Sequence, residues 1–260
     1  MPSIKIDETA RVSSKASLAS GVEIGPYTII EDDVEIGQDT CIGPHCRIQG
    51  PTTLGKSCVI TGCASIGTPP QDLKFQGGET RLVIGDKNTI REFVTINRGT
   101  EHGGGITKVG SHNLLMAYCH VAHDCIVGDY VVMGNLATLA GHVHVENNVI
   151  IGGLSAIHQF TRIGAYAIIG GGSMVSLDII PYVKASGNRA GLFGINTIGL
   201  KRNGFSPERI REITSAYKIL FRQGLRLKDA LQALENESPE SPDIKRLITF
   251  ISSSDRGIAR

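Results

Sequence analysis

Five of the eight histidines lie between positions 120 and 158, in the strings HVAHDC, AGHVH and IHQF. They are His120, His123, His142, His144 and His158. An imidazole titrates near neutrality and can take a proton from an attacking hydroxyl. Gly141 directly precedes His142, and a free backbone amide there could stabilise an oxyanion. A second chemistry is open to the same residues. His120-x-x-His123 and His142-x-His144 could supply nitrogen ligands to a metal.

The element that must position these side chains is a six-residue repeat. Stepping by six from Ile6 meets an aliphatic residue at every position to Ile66, and again at Ile84, Ile90 and Ile96. After a one-residue slip the run resumes at Val109 and continues to Val175. All 26 positions are Ile, Val, Leu or Met. At this hydrophobic content such a run arises by chance with a probability on the order of 10⁻¹⁰. The second residue of the hexad is often glycine, as at Gly37 and Gly55. A tight corner with positive φ or a close backbone approach calls for it. The fifth residue is small or β-branched, as at Ala10, Val22, Thr28 and Cys46. A large aliphatic residue with a small one behind it fits the interior of a narrow prism. The pattern resembles the hexapeptide-repeat family. That resemblance implies an all-β, left-handed parallel β-helix with three hexads per coil, in roughly nine coils stacked at the strand spacing. The handedness breaks the usual crossover rule, so it rests on the resemblance.

The register orients the histidines. Hexads starting at Val121, Leu139 and Ile157 are 18 residues apart and stack on one face. His123 then stands beside Gly141 and Gln159, and Asp124 beside His142, and no histidine of the five points inward. Cys46, Cys58, Cys119 and Cys125 take the small inward position and read as core filler. Six cysteines without a CxxC do not read as a disulfide framework.

Two segments break the stack, GTPPQDLKFQGGETRLV after Ile66 and NRGTEHGGGITK after Ile96. Each is too long for one hexad and must leave the prism as a loop. After Pro181 the repeat fades. Ser206-Pro207-Glu208 reads as a helix start, with Ile210, Ile213, Tyr217, Leu220 and Phe221 on one face and Gly224 as its end. Two further helical pieces are expected at 229–234 and 244–251, separated by Ser238-Pro239 and Ser241-Pro242. The expected division is a β-helix over 1–190 with two extruded loops and a helical domain over 191–260. The formal net charge is +1 and no Trp is present. A general nucleic-acid binder is not expected, and the core must be aliphatic. No stretch is apolar enough to span a bilayer and no signal peptide opens the chain, so a cytoplasmic protein without stable membrane insertion is expected.

The strings PPQDLKF, NRGT, GGGITKVG, HVAHDC, AGHV, IHQF, GNRA and GLKRNGF occur in this order, with DRGIAR at the close. In these the chain resembles the bacterial UDP-N-acetylglucosamine O-acyltransferase family over essentially its whole length. The resemblance implies a homotrimer with active sites between subunits, using no metal or organic cofactor. It implies transfer of an (R)-3-hydroxyacyl group from acyl carrier protein to the glucosamine 3-position of the UDP-sugar, the step that starts lipid A assembly. His123 would be the general base, Asp124 its support and Gly141 the oxyanion amide. Gln71, Asp72 and Lys74 in the first loop would meet substrate, as would His120, His142, His158 and Gln159. Asn196 and Arg202 would hold the UDP portion, a cation suiting a diphosphate. Gly171 would set acyl length. An acidic carrier protein would dock on basic residues among Lys201, Arg202, Arg222, Arg226 and Arg256. At Asn97, Ile198 and Asn203 the chain departs from the family's commoner His, acidic residue and Arg.

Three other readings compete. A metalloenzyme of the γ-carbonic anhydrase type would use the histidines as ligands. A sister acyltransferase of the same pathway carries an extra N-terminal domain, for which a repeat beginning at Ile6 leaves no room. A non-catalytic trimeric scaffold would leave the outward histidines without a purpose.

Overall fold

In the computed structural model, which describes residues 3–238 and 240–260, short strands wind into a three-faced, left-handed parallel β-helix. Face one begins at Lys5–Ile6, face two at Arg11–Val12 and face three at Ser17–Leu18. Each strand pairs with the third one along the chain, so the three faces grow together. Face two has nine strands and ends at Met174–Val175, matching the nine coils expected from the repeat. Pairing is in register: Val121 lies opposite Leu139, and Leu139 opposite Ile157. The first residue of one hexad therefore stacks on the first of the next. These three side chains are at most 1% exposed, and a continuous aliphatic column fills the prism. Fifth-position residues complete it, including the four cysteines expected there. Polar ones bond the coil above: Thr28 donates from Oγ1 to the Gly43 carbonyl and accepts from the Cys46 amide. That pairing removes the cost of burying a hydroxyl.

The corners differ in one respect from the sequence reading. Positive φ falls on the fourth residue of the hexad, not on the second. Tyr27, Asp39, His45, Asp124 and His142 all take it, with φ from 56° to 61°. Except at Gly67, where the first loop leaves with φ 76°, the second-position glycine answers to space. A Cβ at Gly37 would sit 2.5 Å from the backbone of Gly55 on the next coil. Fourth-position side chains project outward along the edges of the prism, and this is where chemistry is displayed.

After the last coils, strands Val183–Ser186 and Gly191–Ile195 extend face one, the second running antiparallel. Four helices follow: α1 (Thr197–Arg202), α2 (Pro207–Arg222), α3 (Leu227–Glu237) and α4 (Pro242–Ser252). Ser206 caps α2 as its sequence requires, and Ser241 caps α4. The Ser238-Pro239 pair falls between α3 and α4, with Pro239 outside the described residues. α1 was not foreseen: it is one and a half turns long, with Gly199 inside it. Buried Asp243 of α4 fastens the helices to the coil. It accepts from Arg209 at 2.9 Å through both oxygens and from the Tyr182 hydroxyl at 3.0 Å. The C-terminal segment returns to the prism, where the Ala259 amide donates to the Asp178 carbonyl. Among the described residues no helix is long and apolar enough to cross a membrane.

Candidate active site

Both interruptions of the repeat leave the prism at the same corner. The first separates strands Ser65–Thr68 and Arg81–Ile84, the second Thr95–Asn97 and Ile106–Val109. Each passes from face two to face three. The next three turns at that corner are residues 122–125, 140–143 and 158–161, one coil apart. The repeat thus brings His123, Asp124, Gly141, His142, His158 and Gln159 to one edge, and the loops fold beside them.

The centre is a His123–Asp124 pair. Nδ1 of His123 lies 2.8 Å from Oδ2 of Asp124, whose side chain is 1% exposed. Thr100 supplies two further donors to the carboxylate, its amide to Oδ1 at 2.9 Å and its hydroxyl to Oδ2 at 2.6 Å. A carboxylate at Nδ1 holds the proton there and leaves Nε2 free to act as a base. His142 meets the His123 ring edge-on at 5.1 Å and stacks on Phe160 at 4.4 Å. Burial lowers the pKa of His142 despite the carboxylate nearby, which favours the neutral ring.

Gly141 lies directly against the imidazole. A Cβ there would stand 2.5 Å from Cε1 and 2.8 Å from Nε2 of His123. Gly141 is buried, and among the described residues its amide donates no hydrogen bond. An unpaired N–H beside a base is suited to a transient oxyanion. Gly141→Ala is expected to displace the ring and lower turnover about 10²-fold, with the fold unchanged by circular dichroism. A turnover within threefold of wild type would show that the ring can yield.

The loops complete the edge. Oδ2 of Asp72 lies 3.0 Å from Nε2 of His102, and its Oδ1 accepts from the Lys74 amide, which lowers its pKa before any charge effect. Gln71 and Lys74 flank it on the exposed first loop. Asn97 anchors that loop, its side-chain amide donating to Thr68 Oγ1 and the Pro69 carbonyl. His120 faces outward on face two with Nδ1 at 2.7 Å from Thr95 Oγ1; burial lowers its pKa. The His158 ring donates from Nδ1 to the Gln159 carbonyl.

Other expected site residues lie elsewhere. Gly171 occupies a corner between faces one and two. A groove along the single edge that bears His123 does not pass it, because their spacing is not a whole number of coils. Asn196 caps α1 and donates to the Tyr166 carbonyl, at a corner between faces three and one. Arg202 is exposed at the end of α1. Asn203 donates to the Gly199 carbonyl, and Ile198 is exposed. Arg256 is held by the Ser176 carbonyl, whereas Lys201, Arg222 and Arg226 are exposed. The four nitrogens considered for a metal do not converge: His144 lies on face three. The three residues that do converge are His123, Asp124 and His142, with ligand atoms within 4.8 Å of one another. Oδ2 of that carboxylate already accepts from a hydroxyl and faces an imidazole nitrogen, so the arrangement is a hydrogen-bonded pair. Sequence reasoning missed Thr100 and Phe160.

A stacked hexapeptide prism with a His–Asp pair on its edge defines a hexapeptide-repeat transferase, and residues 15–50 and 106–141 match the bacterial transferase hexapeptide model. Residues 178–259 match the model for domain 2 of UDP N-acetylglucosamine O-acyltransferase. An acyl-[acyl-carrier-protein]–UDP-N-acetylglucosamine O-acyltransferase of Alkalilimnicola ehrlichii is 56% identical, over 98% of this chain and 99% of that one. The UDP-N-acetylglucosamine acyltransferase structure from Francisella novicida superposes with a TM-score of 0.95 at 38% identity, covering 98% of this chain and 94% of the other. The Arabidopsis enzyme gives 0.86 at 35% identity, covering 98% and 100%. The chain belongs to the UDP-N-acetylglucosamine O-acyltransferase family. The carbonic anhydrase reading is not favoured.

Proposed function

We propose that this protein transfers an (R)-3-hydroxyacyl group from acyl carrier protein to the glucosamine 3-hydroxyl of UDP-N-acetylglucosamine, the first step of lipid A biosynthesis. The observation that carries the mechanism is the His123–Asp124 pair against the buried, unpaired Gly141 amide. Nε2 of His123 takes the proton of the sugar hydroxyl as its oxygen attacks the thioester carbonyl. The oxyanion forms at the Gly141 N–H. Its collapse breaks the carbon–sulfur bond, and the imidazolium returns the proton to the departing thiol. Asp124 stabilises that imidazolium. Asp72, Lys74 and Gln71 of the first loop, with His120, His142, His158 and Gln159, meet substrate, and Asn196 and Arg202 hold the UDP portion. No metal or organic cofactor enters. The exposed basic residues of the helical domain receive the acidic carrier, and the reaction runs in the cytoplasm.

Assembly follows from the three edges. His123, Gly171 and Asn196 stand at different corners, so one site can use all three only if copies sit edge to edge. A homotrimer is the assembly proposed. Light scattering at micromolar concentration should give three times the chain mass, and a monomeric mass would contradict it.

Acyl length is read at Gly171. A Cβ there would meet only Gly153, its carbonyl oxygen at 3.2 Å, so a side chain can project outward once that backbone gives by a few tenths of an ångström. The wild type is expected to prefer longer hydroxyacyl chains and Gly171→Met shorter ones. The assay is transfer from a chain-length series of carrier thioesters to UDP-N-acetylglucosamine and its 3-amino analogue. Identical profiles for the two proteins would remove Gly171 as the determinant, and no transfer to either sugar would remove the proposed function.

A further inference from the structure

The acid of the His–Asp pair is held by a residue outside the repeat. Thr100 lies in the second loop and is 0% exposed. It caps the short 3-10 turn Glu101–Gly103 with extended backbone, φ −112° and ψ 155°. Its amide donates to Asp124 Oδ1 at 2.9 Å and its hydroxyl to Oδ2 at 2.6 Å. Both carboxylate oxygens are therefore gripped by one residue. The hydroxyl has one proton, and Asp124 takes it; the oxygen's lone pair accepts from the Gly103 amide at 3.0 Å. The direction of each bond is thus fixed. Turning the carboxylate would break both bonds and swing Oδ2 away from His123 Nδ1.

The turn itself is seated tightly. A Cβ at Gly103 would come within 2.2 Å of Asp124 Oδ2 and 2.6 Å of His142 Cε1. The same turn holds the first loop, Glu101 accepting from the Gly78 amide and His102 facing Asp72. Thr100 is the joint between the loop cover and the catalytic pair.

We propose that Thr100 is a positioning residue, which orients Asp124 and through it the tautomer and aim of His123. The inference rests on the reading of His123 as the base. Its test is a series at one position, Thr100→Ser, Thr100→Cys and Thr100→Val, measured beside His123→Ala. Serine keeps the donor, cysteine weakens it, and valine keeps the shape while removing it. kcat should fall in the order Thr, Ser, Cys, Val, with valine about 10- to 100-fold below wild type. KM for the carrier thioester should stay within about twofold, and serine should restore kcat to within about threefold, as a positional effect predicts. Folded fraction is read from the thermal transition of each variant, and rates are expressed per folded chain. Should valine fail to assemble, the Ser and Cys variants still give the order. Equal kcat across the folded variants, with His123→Ala inactive, would overturn the role of Thr100. An active His123→Ala would instead overturn the reading beneath it.

Discussion

Alanine at His123 is expected to lower acyl transfer by about 10²–10⁴-fold, the usual worth of a positioned general base. The fold should survive, because the imidazole stands on the edge of the prism and the column behind it is built from Val121, Leu139 and Ile157. The loss should appear in kcat with no comparable rise in KM for the sugar nucleotide, since proton removal is felt in the transition state. Steady-state kinetics on purified protein, with its oligomeric mass checked, would measure it. Activity within about threefold of wild type would move the base elsewhere, His142 being the neighbouring imidazole.

The second large effect is expected from Asp124→Asn. If the new carbonyl oxygen keeps the bond from the Thr100 amide, the new NH₂ faces the Thr100 hydroxyl and His123 Nδ1. It would then donate to Nδ1, place the ring proton on Nε2 and remove the base. The opposite rotamer would set NH₂ against the Thr100 N–H, two donors in a closed space. That clash disfavours the second rotamer, so the pair fails with its shape nearly intact, and a loss on the order of 10³–10⁴-fold in kcat is expected by analogy with hydrolase triads. A variant that keeps a tenth of wild-type activity would show that Asp124 does not set the tautomer.

What was legible in the sequence was what the period governs. Counting by 18 puts His123, Gly141 and Gln159 in one column, because in-register stacking repeats each corner every coil. Counting hexads across the loops, and not residues, would have found more. Ile66 and Ile96 share the phase of Val121, so both loops had to leave at the histidine corner; judged by length alone, they had no address. It would also have separated Gly171 from His123. The glycine at the second hexad position was read for positive φ or close backbone approach, and the close approach is what Gly37 shows. The left-handed residue is the fourth, often Tyr, Asp or His, types whose outward side chains also serve the surface. Thr100 obeys no period, since it belongs to a loop whose path is set by what it touches. The C-terminal helices were legible where Ser-Pro starts and apolar spacing mark α2 and α4. α1 is too short to carry such a pattern.

By the proposed mechanism the chain moves an acyl group from a carrier thioester to a sugar hydroxyl with its own groups, the His123–Asp124 pair and the Gly141 amide. The direct measurement is a single-turnover reaction of chelator-treated protein with (R)-3-hydroxyacyl carrier protein and UDP-N-acetylglucosamine, followed by mass spectrometry and NMR of the nucleotide product. An ester at the glucosamine 3-oxygen is expected, formed at the same rate before and after chelation. An intact thioester, free fatty acid in place of the ester, or transfer that returns only when metal is restored would contradict it.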